Sequence, residues 1–416
     1  MRLRLPVAGL VGLSLAVAAC GGGASTGSSS GSGEVTITFA IWEKNDQAGS
    51  TNLINAFQKA NPGIKVKLEI TPWDQFWTKL QTAATGGAAP DVFWMNSLNM
   101  KLYAKGGIIK PLDEKPVEGL PASVVDSYRY EGKLYGVPFS VGFPVLWYNK
   151  KLFDAAGVAH PNADWTWDDV KAAAKKLTKP EDRQYGIMAP MWDQVGFYNT
   201  IYQAGGHVIS EDGKKSGFAE PGSIQGLEFW TGLIRDKVAP PAEVYADTDG
   251  IQLFQSGKYA MQYGGMWFAP IYAGNTDIKD AVDAAPLPKG PAKGGVIMLG
   301  MSTAVSAKGR HQAEAEKFSA FLASPEAQQI MSSTPGSSLS LREGTQDAWF
   351  KNYPYRLKEA YDASIPHGVP YPVSVNTAKW QDAQKTLLTE AWAGKRPVAE
   401  VARDLAAQMD EILAKE

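Results

Sequence analysis

Thirteen tryptophans, 16 tyrosines, four histidines and a single cysteine set the chemistry open to this chain of 416 residues. His160, His207, His311 and His367 are far apart in sequence, and none belongs to an HExxH or other zinc-spaced set. One cysteine excludes disulfide frameworks, thiolate zinc sites and redox CxxC pairs. A phosphate loop of the G-x-x-x-x-G-K-S/T kind is missing, because Gln252 stands where Gly257-Lys258 would need its first glycine. Gly27-Ser28-Ser29-Ser30-Gly31 matches the G-x-S-x-G nucleophile elbow, yet an elbow needs a strand before it and a helix after it. The surrounding residues 21–33 are only Gly, Ser, Ala and Thr, which form neither. A Ser–His–Asp triad assembles only in space, and pairs of carboxylates abound among 43 acids, so neither is singled out. Glu43 is the best candidate carboxylate, with three readings: a surface charge, an acceptor for ligand hydroxyls, or a catalytic group.

The aromatic excess has a more specific use. A pyranose presents an apolar C–H face that an indole can cover, and equatorial hydroxyls that carboxylates, amides and guanidinium groups can take. Where the tryptophans fall depends on the elements that carry them. Val35, Ile37 and Phe39 alternate with Thr36, Thr38 and Ala40, which predicts a strand ending at Trp42. Ser50 or Thr51 can cap a helix bearing Leu53, Ile54 and Phe57, stopped by Asn61-Pro62-Gly63. Residues 64–70 alternate as a second strand, residues 73–85 read as a second helix, and residues 91–95 as a buried strand. Strand–helix–strand–helix–strand implies right-handed parallel crossovers, with ligands beyond the carboxyl ends of the strands. Trp42, Trp94 and Asn96 fall at or just after such ends. Each tryptophan alone is equally explained as core; the three together favour a site. Further on, residues 137–148 read as a strand, and Thr166 caps a helix over 168–177. Residues 224–237 and 313–323 read as amphipathic helices, and residues 397–415 as a C-terminal helix.

The N-terminus carries its own signal. Arg2 and Arg4 precede a short apolar run, residues 5–19, that is too short to span a membrane and fits a secretory signal. It ends Val17-Ala18-Ala19-Cys20, which resembles a bacterial lipobox, with Cys20 as the acylated residue. The competing reading is an ordinary signal cleaved near a stray cysteine. Residues 20–33 then form a flexible tether. With 41 Lys and Arg against 43 Asp and Glu, the net charge of −2 leaves no basic excess for nucleic acid.

Four stretches carry a family resemblance, in order along the chain. They are Ala89-Pro90-Asp91-Val92-Phe93-Trp94; Tyr135-Gly136-Val137-Pro138 with Trp147-Tyr148-Asn149-Lys150-Lys151-Leu152-Phe153; Trp165-Thr166-Trp167-Asp168; and Phe254-Gln255-Ser256-Gly257-Lys258-Tyr259-Ala260-Met261 before Gly265-Met266-Trp267. Together they resemble the sugar-type solute-binding proteins of ABC importers, the maltose-binding-protein-like family 1. One departure stands out: Met266 occupies a place where many members have proline.

The resemblance implies an α/β, two-lobed periplasmic-binding-protein-like fold of type II, hinged by three crossing segments near 138–143, 297–301 and 348–353. It divides the chain into a signal (1–19), the lipidated tether (20–33), a first lobe (34–140 with 299–349) and a second lobe (141–298 with 350–416). It adds Trp192, Trp267 and Trp380 from the second lobe to Trp42, Glu43, Trp94 and Asn96 as ligand-binding residues. Arg342 follows where many members have a Pro-Ala-Arg turn; a surface or inter-lobe ion pair competes with ligand contact there. Trp73, Trp77, Trp230 and Trp349 read as helix packing. The expected protein is a monomeric, non-enzymatic receptor without cofactor or metal, anchored outside the cytoplasm by lipid on Cys20. It would bind a mono- or oligosaccharide and deliver it to an ABC permease. The alternatives are a carbohydrate-active lipoprotein enzyme, or a receptor of the same fold for a polyamine, metal ion or other non-sugar solute.

Overall fold

The computed structural model describes residues 34–246, 248–292 and 294–416. The signal-like run, Cys20 and the tether lie outside them. Val35–Ile41 (β1), Ile64–Ile70 (β2) and Val92–Asn96 (β3) pair in parallel, with Gln47–Ala60 (α1) and Trp73–Thr85 (α2) as the crossovers. The alternation in β1 decides what each helix covers. Ile37, Phe39 and Ile41 face Leu53, Ile54 and Phe57 of α1 and also Phe318. Ala40 faces the opposite layer with Phe76 and Leu80 of α2. Both faces of the central strand are therefore covered, while the edge strand β2 buries only Val66. Asp91 locks the register: Thr38 donates to its Oδ2 from N at 2.8 Å and Oγ1 at 2.9 Å, and Asp91 N donates back to Thr38 Oγ1 at 2.9 Å. The helix α1 begins at Gln47, ahead of the expected Ser50 or Thr51, because residues 44–46 already coil as a 3₁₀ turn capped by Glu43.

A small hairpin, Arg129–Tyr130 (β4) and Lys133–Leu134 (β5), turns on Glu131 and Gly132, both at positive φ. The stretch expected as one strand is two. Val137–Gly142 (β6) belongs to the first sheet, and Pro144–Asn149 (β7) pairs instead with Met261–Gly265 (β8) and Val282–Ala285 (β9) in the second. Proline explains the break: Pro144 has no N–H for the first ladder and restricts the backbone of Phe143 before it. The chain thus passes between lobes within one residue.

Val296–Val305 (β10) makes the second passage. Its Ile297 N–H donates to Asn199 Oδ1 of the second lobe at 2.8 Å, and residues 296–298 pair with Gly368–Pro370 (β11). Its far end, residues 301–305, runs antiparallel to β3, while Leu299 to Thr303 pair with β6. The third passage lies at residues 353–355. Tyr353 OH accepts Gly336 N–H at 3.0 Å in the first lobe. Two residues on, Tyr355 packs edge-on to Trp147 at 5.2 Å, and Arg356 N–H donates to Asp283 Oδ1 at 2.7 Å, both in the second. Helices complete that lobe. Trp167–Leu177 starts on a capping box of Thr166 and Asp169, and Val398–Leu413 buries Val401, Leu405 and Met409. No helix among the described residues is long and apolar enough to cross a membrane.

Candidate functional site

The first two passages form the floor of a cavity of ≈ 460 Å³ between the lobes, through Ser140, Val141, Gly142, Leu299 and Met301. Its first wall stands on the carboxyl ends of the three parallel strands. Trp42 and Glu43 follow β1, Trp73 and Asp74 follow β2, and Trp94 and Asn96 end β3; all six line the cavity. The rings build one aromatic block. Trp42 meets Trp94 edge-to-face at 5.0 Å and 79°, and Trp73 at 5.3 Å and 77°. Phe76 and Trp77 support Trp42 from behind at 5.2 and 5.7 Å. Such packing fixes the ring orientations before any ligand arrives.

Polar groups are set between the rings. Glu43 Oε1 accepts Asn45 N–H at 3.1 Å, capping the turn that begins α1. Asn96 caps the helix Ser97–Lys105, its Oδ1 accepting Asn99 N–H at 3.1 Å, and its Nδ2 is buried without a protein partner. Asp46 is 2 % exposed, and its Oδ2 accepts Ser338 N–H at 2.9 Å and Oγ–H at 2.7 Å. This contact holds the loop Gly336–Leu339 against the cavity. Trp349, read from sequence as packing, also lines the cavity and braces the loop, donating Nε1–H to Ser337 O at 2.6 Å.

The second wall is Gln194, Asp249, Ile251 and the turn Met266–Phe268. Trp267 is half-buried and lies over two glycines, one from each lobe. A Cβ on Gly265 would come within 2.1 Å of its ring, and one on Gly142 within 3.0 Å. Bare backbone on both sides is what lets the indole lie there. Met266, in place of the common proline, donates its N–H to Phe143 O at 3.1 Å and so ties this turn to the first passage.

A family model described as bacterial extracellular solute-binding protein matches residues 42–329. The chain belongs to that family. An ABC substrate-binding protein from Listeria monocytogenes, solved in complex with cycloalternan, superposes with a TM-score of 0.83 at 27 % identity, covering 92 % of this chain and 99 % of the other. The diacetylchitobiose binding protein of Streptomyces coelicolor is 28 % identical, covering 74 % of this chain and 75 % of its own. The mannitol-binding protein of Pseudomonas aeruginosa is 25 % identical, covering 80 % of this chain and 77 % of its own. These relatives are binding proteins, and the family places its members outside the cytoplasm.

In this solute-binding protein the sequence-derived residues divide. Trp42, Glu43, Trp94, Asn96 and Trp267 are brought to the one cavity. Trp192 faces a neighbouring recess of ≈ 320 Å³ that shares Asp249 with it. Trp380 is off the cavity: it is fully buried in the second lobe, and its Nε1–H donates to Ser374 Oγ at 3.0 Å. Its helix presents that ring inward because Leu388 and Trp392 share the same buried stripe. Arg342 is also off it. Its Nη2 donates at 2.9 Å to the carbonyl of Ala323, which caps the end of the helix Gln312–Leu322, where the helix dipole attracts a cation. Trp73, read from sequence as packing, is 47 % exposed and on the cavity wall. Its signal was positional, since Trp73-Asp74 follows a parallel strand end after a gap of two residues, where Trp42-Glu43 follows one directly. Asp46 and the Ser337-Ser338 pair had no comparable signal, because they meet only through the fold. Among the described residues no group of His, Cys, Asp or Glu is arranged to hold a metal ion.

Burial raises the Asp46 carboxyl to about 6, with Glu43 adding to the rise and the Ser338 hydrogen bonds opposing it. Its folded value exceeds its unfolded one, so its stabilising contribution is full below about pH 4 and lost as pH rises through about 6. The ligand-free protein should gain about 1 kcal/mol from this group between pH 7 and pH 5. Asp46→Asn should remove that gain, measured as the difference in denaturant midpoint between the two pH values. An equal difference in wild type and variant would assign the pH dependence elsewhere.

Proposed function

We propose that this protein is a lipid-anchored extracytoplasmic receptor that closes its two lobes on a carbohydrate and delivers it to an ABC permease, without covalent chemistry. One observation carries the reading: a cavity between lobes has indoles on both walls, with carboxylates and a spare amide N–H between them. Indole faces suit the C–H face of a sugar ring. Glu43, Asp249 and Gln194 suit its hydroxyls, and Asn96 Nδ2 suits a hydroxyl or ring oxygen. The names of the relatives, which bind diacetylchitobiose and cycloalternan, support the same class. Ligand contacts from both walls exist together only when the lobes are closed, so binding shifts the population toward closure.

The test is a titration of the soluble chain with mono-, di- and trisaccharides, followed by tryptophan fluorescence and calorimetry. Saturable binding with the sugar recovered unchanged is expected. Turnover of the sugar would replace the receptor with an enzyme. Anchoring rests on the lipobox-like Val17-Ala18-Ala19-Cys20. Cys20→Ala should release the protein from membranes, because acyl chains on that residue would be its attachment. Retention of the variant through a high-salt wash, which strips weak electrostatic adsorption, would refute the anchor.

A further inference from the structure

Charge in the cavity is one-sided. Glu43, Asp46 and Asp74 line it from the first lobe and Asp249 from the second, and no Lys, Arg or His is among the described residues that do. Arg342, the guanidinium expected there, is turned to the Ala323 carbonyl. Nearby lysines are also engaged elsewhere or off the wall: Lys79 Nζ on α2 donates to Thr71 Oγ1 at 3.1 Å, and Lys44 does not line the cavity. Four carboxylates thus share one half-enclosed space without a counter-ion from the protein. The indoles add to the same field, since a ring face carries negative quadrupole potential.

We infer that this cavity is a charge filter within the saccharide class, admitting neutral or amine-bearing sugars and rejecting those that carry a carboxylate, sulfate or phosphate. The inference rests on the carbohydrate reading above. The physical reason is lobe closure. A bound sugar displaces the water that screens the acids, so an anion on the ligand meets carboxylates from both walls in a medium of lowered dielectric. A hydroxyl accepts or donates there at no such cost, and an ammonium is attracted by the acids and the ring faces alike. Asp249 is the residue best placed to set the filter. It is exposed, belongs to the second lobe, and uses Oδ1 to cap the helix Gly250–Gln255 through Ile251 N–H at 2.7 Å. Asparagine keeps that cap acceptor and removes only the charge.

The experiment uses matched sugars that differ at one carbon: glucose, glucosamine and glucuronate; galactose, galactosamine and galacturonate; and the β-1,4 disaccharides of each. Affinities are read by calorimetry at pH 7.5. Within whichever series binds, the uronate should be weaker than its neutral parent by roughly 30-fold, between the values for one contact pair in water and at a protein surface. The amine should bind at least as well as the parent. Asp249→Asn should narrow the gap between parent and uronate, chiefly by strengthening the uronate. A uronate bound as tightly as its neutral parent overturns the filter and leaves the carbohydrate reading intact. No binding by any neutral or amino sugar at millimolar concentration overturns both.

Discussion

Trp267→Ala should weaken sugar binding by about 2–4 kcal/mol, the range for buried aromatic anchors at interfaces. That corresponds to roughly 30- to 1,000-fold in affinity. The size follows from the placement of the ring. It is half-buried, it lies over Gly265 of the second lobe and Gly142 of the first, and one face borders the cavity. Truncation removes the stacking surface and opens the floor at the point where two of the three passages meet. Folding should suffer less than binding, because Trp267 keeps partial exposure while its neighbours Met266 and Phe268 are buried. Calorimetric affinity and the melting temperature of the ligand-free protein, taken on the same sample, separate the two roles. A lowered melting point with normal affinity would make Trp267 a core residue and remove it from the site.

The parallel half of the first lobe was legible because its signals are local. Alternation in residues 35–39 and 64–70, the Asn61-Pro62-Gly63 stop and the strand-end tryptophans all lie within a few residues of what they determine. The passage at Phe143 was less so. Residues 137–148 carry one unbroken apolar pattern, and only Pro144 marks where pairing changes from one sheet to the other. β10 illustrates a different limit. Its register with β3 and β6 is antiparallel, and both partners are more than 150 residues away, a separation that no periodicity encodes. The site divides on the same line. Trp42, Glu43, Trp94 and Asn96 sit at strand ends, whereas Asp46 with Ser338 and Asp249 depend on loops folding back from elsewhere.

Family position was a poorer guide than local pattern in two places, and both have the same cause. Arg342 and Trp380 lie in segments whose neighbours in space hold them off the cavity: a helix-end carbonyl in one case, an apolar stripe and Ser374 in the other. A donor that does not line the cavity, the unpartnered Arg342 Nε included, is not presented to a ligand. The same reasoning favours Asn96. Its Oδ1 is committed to capping, yet its Nδ2 remains without a partner, and leaving such a donor buried and unpaired costs about 1–3 kcal/mol until a ligand takes it.

Trp380→Ala therefore tests whether the division between wall and core is right. The indole is fully buried in the second lobe, on a helix whose inward stripe also carries Leu388 and Trp392. Its removal should cost about 3–5 kcal/mol of stability, the range for deleting a large aromatic from a packed core. The lost Nε1–H···Oγ bond adds little, since Ser374 Oγ still donates to Glu416 Oε1 at 2.6 Å. Sugar affinity of the folded fraction should stay within a few-fold of wild type, because no atom of the cavity wall is removed. Denaturant unfolding and calorimetry on this variant and on Trp267→Ala give opposite patterns if the geometry is right. A large loss of affinity in Trp380→Ala, with the denaturant midpoint unchanged, would instead place this ring against the ligand and require the second wall of the cavity to be redrawn around it.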